Sequence, residues 1–511
     1  MMLTPLQQAA MTTPDHSALI INGHRQSYQS WAQEVQQLAA VLHAKGLTQG
    51  SLVGVIIPIP SANNASTHQH HSIAEQTKQV ISLYWACCEI GAIFFPLNGR
   101  FAQSQINQLL NRFNIGYLWA SDSQLSQLKA TLNSSITLLN SAEMAFQTQP
   151  HFTTSSLTAN KINPHLPANV ILTSGSSGTP KAAVHSLLNH IVSAQGSSRA
   201  IPLAADHRWL LSLPLFHIGG LAIVNRCALA SATLVLQSDS QTLAEQMISD
   251  AITHVSMVPT QAIQMINHTP DALNQVKALL LGGGVIESSL ISQLKQQGIH
   301  AYTSYGMTEM SSQITTAKAN LQQHHGRPLS GRQLKLVDGV IWVKGECLFQ
   351  GYLSFEAKSK SYQIHLPVDE QGWFCTHDRG QLNDKGQLTL LGRADNMFIC
   401  GGENIQPEEV ESVLLQHPLV NQAIVFGQAD AKFGLLPAAI IGYNTTDLPT
   451  DIEQQLAQMV SQQLASFKRP RQFFNWPAIA TQGLKINRKQ MIAAVSSHHL
   501  ADKDTPQSHH D

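Results

Sequence analysis

The stretch Thr173-Ser-Gly-Ser-Ser-Gly-Thr-Pro-Lys181 restricts this chain more than any other. It follows the apolar run Val170-Ile171-Leu172, which reads as a short buried strand, and precedes residues 182–198, which read as a helix. A glycine-rich loop between strand and helix turns successive backbone N–H groups toward an anion. Gly175 and Gly178 permit positive φ and close approach of a ligand. Ser174, Ser176, Ser177 and Thr179 add hydroxyl donors, and Lys181 adds a positive charge. The set suits the polyphosphate of a nucleotide, although composition alone leaves a flexible turn open. Pro180, and the lack of Ser or Thr after Lys181, exclude the ordinary P-loop pattern.

A chain of 511 residues exceeds a single core, so at least two domains are expected. Charged residues make up only 12% and net charge is −1, which gives no general attraction to nucleic acid or anionic membrane. No apolar run reaches the roughly 18 residues of a membrane span, and no basic-then-apolar leader opens the chain. These features predict a soluble cytoplasmic protein and leave a homo-oligomer open. The cysteines form no Cys-x-x-Cys pair, which speaks against a zinc site or a disulfide framework and for buried thiols. Many of the 24 histidines, such as His68, His70, His71, His498, His499, His509 and His510, fall in polar low-complexity segments that read as solvated loops or tails.

Apolar runs and helical periodicities alternate through the first 120 residues, which predicts helix-covered parallel sheets. Residues 61–76 interrupt this as an exposed, histidine-rich insertion. Farther on, in Trp209-Leu-Leu-Ser-Leu-Pro-Leu-Phe-His217, a strand ends at Pro214 and Phe216 and His217 follow on a loop, and an apolar helix over 221–229 contains Arg226. An arginine there needs either a core carboxylate or an anionic group of a substrate. Strand 276–281 runs into Gly282-Gly283-Gly284. In Tyr302-Thr-Ser304-Tyr305-Gly306-Met-Thr308-Glu309, the flat face of Tyr305 suits a base, Thr308 suits phosphate, and Glu309 suits a hard cation. Short strands flank the tight turn Asp338-Gly339. Farther on, Trp373-Phe-Cys-Thr-His-Asp378 carries a further carboxylate. The large domain ends within Leu390-Leu-Gly-Arg-Ala-Asp-Asn396, and residues 395–495 read as a small α+β domain before a disordered tail at 496–511.

The loop, Tyr305–Glu309, Thr376–Asp378, Arg393 and Gly483-Leu-Lys485 resemble the signatures of the adenylate-forming superfamily of acyl-CoA synthetases, luciferases and adenylation domains. That resemblance implies an α/β fold. A large N-terminal domain of helix-covered parallel sheets (1–394) carries a small β-barrel-like subdomain and is followed by a mobile C-terminal domain. It implies ATP, Mg²⁺ and coenzyme A as cosubstrates of a carboxylic acid. Thr173 to Thr179 and Lys181 would hold phosphates, with Gly283, Tyr305, Gly306, Thr308, Asp378 and Arg393 completing the nucleotide site. Glu309 would hold the metal and Lys485 would catalyse adenylation. His217, Gly282 and Ser304 would line the acid pocket, with His217 also gating it. Asp395 would be a hinge, with Gly401, Gly402 and Glu403 on the face met by coenzyme A. The family usually has glycine where His377 stands.

Pro180 to His185, Trp209 to His217, Gly401 to Val410 and Lys485-Ile-Asn-Arg488 look most like the o-succinylbenzoate–CoA ligases of menaquinone biosynthesis. Their substrate keeps an aromatic carboxylate that is not activated, and Arg226 is the candidate to hold it. Rival readings are another aryl- or fatty-acyl-CoA synthetase, an adenylation enzyme that loads a carrier protein, and a non-catalytic nucleotide binder.

Overall fold

The apolar runs become the strands of two mixed sheets in a computed structural model, which describes residues 1–58, 72–128, 132, 134–139, 161–173, 180–283, 286–400, 403–430, 434–478 and 488–503. The eight-stranded sheet runs, in spatial order, Ser361–His365, Gly351–Glu356, Lys181–Ser186, Pro167–Thr173, Ile93–Asn98, Leu52–Ile57, Tyr117–Trp119, Thr137–Leu139. From Pro167–Thr173 onward the pairing is parallel, and before it antiparallel. Every residue of Leu52–Ile57 and Ile93–Asn98 is buried, as parallel strands covered on both faces require.

The nine-stranded sheet runs Arg327–Pro328, Ser312–Lys318, Ala301–Met307, Ala278–Leu281, His254–Met257, Arg208–Leu210, Thr233–Val235, Ser17–Ile21, His24–Ser27. Its inner strands are parallel and its edges antiparallel. A core containing Trp31, Tyr84, Trp85, Trp119 and Trp209 joins these strands to helices Tyr28–Ala44, Ile73–Ile90 and Ile218–Ala230. The helix-covered α/β architecture is therefore as expected, with antiparallel margins added. Cys87, Cys88, Cys227, Cys347 and Cys400 are buried free thiols, and Cys375 is half-buried.

Packing divides the chain into two units, Met1–Leu334 with Val343–Phe374, and Lys335–Trp342 with Cys375–Asp511. Residues 375–394, expected with the large domain, pack with the second unit. A four-stranded sheet orders Arg332–Val337, Val340–Gly345, Phe374–Leu382 and Leu388–Arg393. Asp338 and Gly339 have φ of 50° and 74°, the two positive values that a type I′ hairpin turn needs. In the second unit, Val420–Asp430, Gly434–Tyr443 and Gln472–Asn475 form a three-stranded sheet. Val425, Ala439 and Ile441 join one apolar cluster with helices Pro407–Leu414 and Ile452–Gln463, while Ile424, Phe426, Ala438 and Ile440 meet Met491 and Val495 in another. This alternation is the period of two that puts successive side chains on opposite faces.

Several expectations need correction. Residues 182–198 are not one helix: Lys181–Ser186 is a strand, and the helix is Leu187–Ala200. Ser186 caps it reciprocally with Asn189. Two strand neighbours and burial of residues 182–186 override the helical bias of the alanines. Gly351–Glu356 belongs to the eight-stranded sheet, not to a barrel-like subdomain, because Gly351 and Tyr352 pair with Val184 and Ala183. Helix Ile73–Ile90, capped by Ser72, claims the end of the supposed insertion, whose residues 61–71 lie outside the described residues. Helix Arg488–Lys503 runs through the first part of the supposed tail and includes His498 and His499; residues 504–511 lie outside the described residues.

Candidate active site

Thr173 stands opposite Lys181 in the antiparallel pair Pro167–Thr173 and Lys181–Ser186. The glycine-rich stretch therefore links two strands rather than a strand and a helix, at the carboxyl end of a strand with a parallel neighbour. Ligands of open α/β sheets gather at such ends. Ser174, Gly175, Ser176, Ser177, Gly178 and Thr179 lie outside the described residues. Lys181 is exposed, with Nζ 4.9 Å from the centroid of the Tyr352 ring. The Tyr352 hydroxyl donates to Oε1 of buried Glu309 at 2.7 Å. Two expected site residues thus meet at one tyrosine.

Glu309 belongs to a short helical turn, Thr308–Met310, at the carboxyl end of strand Ala301–Met307. Tyr305 on that strand is buried. A Cβ on Gly306 would lie 2.2 Å from the Ser312 carbonyl oxygen, so only glycine permits the neighbouring strand to come so near. The Thr308 carbonyl contacts His185 Nε2 at 2.7 Å. A carbonyl only accepts, so His185 carries its proton on Nε2 and its Nδ1 accepts from Asn169 Nδ2 at 3.4 Å. His190 Nε2 in turn donates to Asn169 Oδ1 at 2.6 Å. Burial lowers His185 to about 4, against the raising effect of the Thr308 bond, and holds His190 well below the usual range with help from His185. The neutral chain His190–Asn169–His185 thereby fixes the motif's backbone against the strand that follows the loop.

Strand Ala278–Leu281 delivers Gly282 and Gly283, the latter at φ 80°. Ser304 Oγ reaches the Leu281 carbonyl at 3.5 Å, and Gly282 abuts that hydroxyl. His217 is the exposed N-cap of helix Ile218–Ala230, its ring 4.6 Å from that of Phe216.

Arg226 lies on that helix and is 2% exposed. No carboxylate pairs with it among the described residues. Its Nη2 donates to Gln313 Oε1 at 2.7 Å and to Ser312 Oγ at 3.2 Å, its guanidinium lies 5.3 Å from the Trp209 ring, and its Nε has no partner. Gln313 is fixed by accepting from Ser197 Oγ and donating to Thr316 Oγ1, both at 2.7 Å. Arg332, also buried, donates through Nε to the Gln313 carbonyl at 2.5 Å. Burial first, and the Arg332 charge second, push Arg226 down to about 9. This is a buried cation short of an anion.

In the second unit, Arg393 gathers the other expected residues. Its Nη1 donates to Asp378 Oδ1 at 3.1 Å and to the Thr376 carbonyl at 3.0 Å. Its Nε and Nη2 take both oxygens of Asp395, at 2.9 and 3.2 Å. Burial works against the Arg393 charge, but the two aspartates raise its pKa. Burial likewise opposes the Asp395 charge, yet Arg393 holds that carboxyl below its ordinary range. Glu403 lies exposed on strand Glu403–Ile405, while Gly401, Gly402 and Lys485 lie outside the described residues. His377 adopts φ 59°, the left-handed region, which explains the glycine usual there in the family. His377→Gly is expected to stabilise the second unit by roughly 0.5–1 kcal/mol, the relief of left-handed strain less glycine's added entropy. A denaturant titration that leaves the midpoint unmoved or lowers it contradicts this.

Residues 72–353 match the family model for AMP-binding enzymes, and residues 409–480 match that for the AMP-binding enzyme C-terminal domain. The chain belongs to the AMP-binding enzyme family. It is 33% identical over 461 residues to the 2-succinylbenzoate–CoA ligase of Haemophilus influenzae, covering 90% of each chain. It is 34% identical over 486 residues to that of Salmonella typhimurium, covering 93% of this chain and 94% of the relative. Among solved structures, it resembles o-succinylbenzoate coenzyme A synthetase from Bacillus subtilis in complex with ATP and magnesium ion, with a TM-score of 0.79, 25% identity and coverage of 96% and 99%. The same enzyme in complex with the acyl-adenylate intermediate OSB-AMP gives a TM-score of 0.77 at 25% identity, with coverage of 95% and 96%.

Sequence reasoning missed three features of this AMP-binding enzyme. They are Tyr352 beneath Lys181, the His190–Asn169–His185 chain, and Gln313 and Arg332 beside Arg226. Each is a long-range meeting with no sequence periodicity. The Ser186–Asn189 cap was the local signal that could have separated strand from helix.

Proposed function

We infer that this chain is an AMP-forming acid–thiol ligase that converts 2-succinylbenzoate, ATP and coenzyme A into 2-succinylbenzoyl-CoA, AMP and diphosphate in menaquinone biosynthesis. The observation that carries the choice of acid is Arg226: a buried guanidinium whose hydrogen bonds go to the neutral side chains of Ser312 and Gln313, beside the Tyr305–Glu309 motif. A dicarboxylate supplies the missing anion through the carboxylate that is not activated. The relatives named for this reaction support the reading.

In the first step a substrate carboxylate oxygen attacks the α-phosphorus of ATP, the bond to the bridging oxygen breaks, and diphosphate leaves. Negative charge is brought together, so fixed cations and N–H donors do most of the work. The glycine-rich loop and Lys181 take the β- and γ-phosphates, and Asp378 and Arg393 take the ribose. Lys485 is assigned to offset the repulsion between the α-phosphate and the incoming carboxylate. Glu309 would hold a magnesium ion, a hard cation suited to a carboxylate oxygen. When bound, that ion neutralises phosphate charge. In the second step the thiol sulfur of coenzyme A attacks the acyl carbonyl and AMP departs. Gly401, Gly402 and Glu403 serve this step. No helix among the described residues is long and apolar enough to cross a membrane, and substrates such as ATP and coenzyme A suit a cytoplasmic enzyme.

Arg226→Gln separates this acid from its rivals. The expected result is a fall of about a hundredfold in kcat/KM for 2-succinylbenzoate, the scale of losing one partner of a buried charge pair. For 4-oxo-4-phenylbutanoate, which lacks the ring carboxylate, little change is expected. Equal losses on both acids remove Arg226 from carboxylate recognition. Wild-type protein that releases diphosphate with benzoates or fatty acids, but not with 2-succinylbenzoate, refutes the assignment.

A further inference from the structure

We propose that Tyr352 is a positioning residue for metal-bound ATP: it keeps Lys181 and Glu309 apart and aimed, the lysine at phosphate and the glutamate at the cation. This rests on the adenylation reading above. Opposite charges on adjacent elements tend to close on each other when no ligand separates them. Yet among the described residues no ion pair joins Lys181 to Glu309. Tyr352 satisfies both instead. Its ring faces the ammonium at 4.9 Å, and its hydroxyl occupies Glu309 Oε1 at 2.7 Å. Glu309 Oε2 accepts no hydrogen bond among the described residues, so the bond to Oε1 leaves the other oxygen available to a metal.

Tyr352 is itself firmly placed. It stands opposite Ala183 on the strand that begins with Lys181. The Phe349 ring meets it edge-on at 4.8 Å and is backed by Phe374 at 5.5 Å. The Phe349 N–H donates to the Glu309 carbonyl at 2.8 Å. The short segment from Phe349 to Tyr352 therefore grips both the main chain and the side chain of Glu309. Carboxylates that bind metals are commonly oriented by an outer hydrogen bond of this kind, and losing that bond weakens the metal about 10–100-fold. A tyrosine that merely fills space makes a different prediction, because phenylalanine fills the same space.

The test is equilibrium binding of Mn²⁺, followed by electron paramagnetic resonance, to the full chain with saturating ATP. Wild type, Y352F, E309Q and the Y352F/E309Q pair are compared, and Y352L removes the ring as well. Y352F is expected to weaken Mn²⁺ about 10–100-fold while leaving metal-free ATP affinity at the wild-type value. On the E309Q background it is expected to add nothing, the mark of two groups acting as one. Y352L is expected to weaken metal-free ATP too, through Lys181. Wild-type Mn²⁺ affinity in Y352F, or full additivity with E309Q, overturns the role of Tyr352 alone. A wild-type chain that binds no Mn²⁺ with ATP overturns the adenylation reading beneath it.

Discussion

Lys485→Ala is expected to slow acyl-adenylate formation by about 10²–10³-fold, the usual cost of removing one preorganised group aimed at developing charge. Thioester formation from supplied acyl-adenylate is expected to change far less. The asymmetry follows from the chemistry of the two steps. Adenylation presses a carboxylate against a phosphate that already carries charge, and water opposes that approach. A fixed ammonium offsets the repulsion where it is greatest. Thiol attack on the mixed anhydride lacks the same clash of anions, because the carboxylate has already been masked. Single-turnover assays make the comparison, one following diphosphate release and the other the thioester from synthetic OSB-AMP. Equal losses in both halves exclude this role for Lys485. Unchanged rates in both return it to the status of an ordinary surface lysine.

Local chemistry made part of this site readable before any coordinates. Tyr305, Thr308, Glu309, Asp378 and Arg393 stood out as candidates because residue type and spacing within a few positions carry the message; the structure sets Tyr305 near the end of its strand, Thr308 and Glu309 on the turn that follows, Asp378 in the middle of Phe374–Leu382 and Arg393 at the end of Leu388–Arg393. The parallel strands were equally plain, since burial on both faces leaves unbroken apolar runs such as Leu52–Ile57. What stayed hidden depends on partners far away in the chain. Lys181–Ser186 is a strand only because Pro167–Thr173 and Gly351–Glu356 lie on either side of it. Arg226 could be recognised as a buried cation, but its bond to the amide of Gln313, 87 positions away, could not, and among the described residues no carboxylate pairs with it. His377 was visible as a departure from the family glycine; its left-handed backbone shows what that departure costs.

Arg488→Gln is expected to destabilise the second unit by roughly 3–5 kcal/mol, the cost of stranding one half of a buried ion pair. Arg488 closes the segment that carries Lys485 and opens helix Arg488–Lys503. Its guanidinium donates to Glu411 Oε1 and to the Val425 carbonyl, while the Val425 N–H donates to Glu411 Oε1 at 2.6 Å. Helix Pro407–Leu414, strand Val420–Asp430 and the last helix are thus tied at one point. Burial raises the Glu411 pKa, and Arg488, with the Val425 amide, opposes that rise. A carboxyl raised in the fold contributes its stability below its unfolded pKa and loses it as pH climbs through the folded value. Without Arg488 burial acts almost unopposed, so the folded value moves higher and the loss extends further upward. The R488Q deficit is therefore expected to be larger near about pH 8 than near about pH 5. E411Q/R488Q is expected to recover part of it, because no charge is then left unpaired. Chemical denaturation of the four proteins at both pH values checks this. A deficit independent of pH, or a double variant no better than R488Q, means that Arg488 acts through packing rather than through the Glu411 charge.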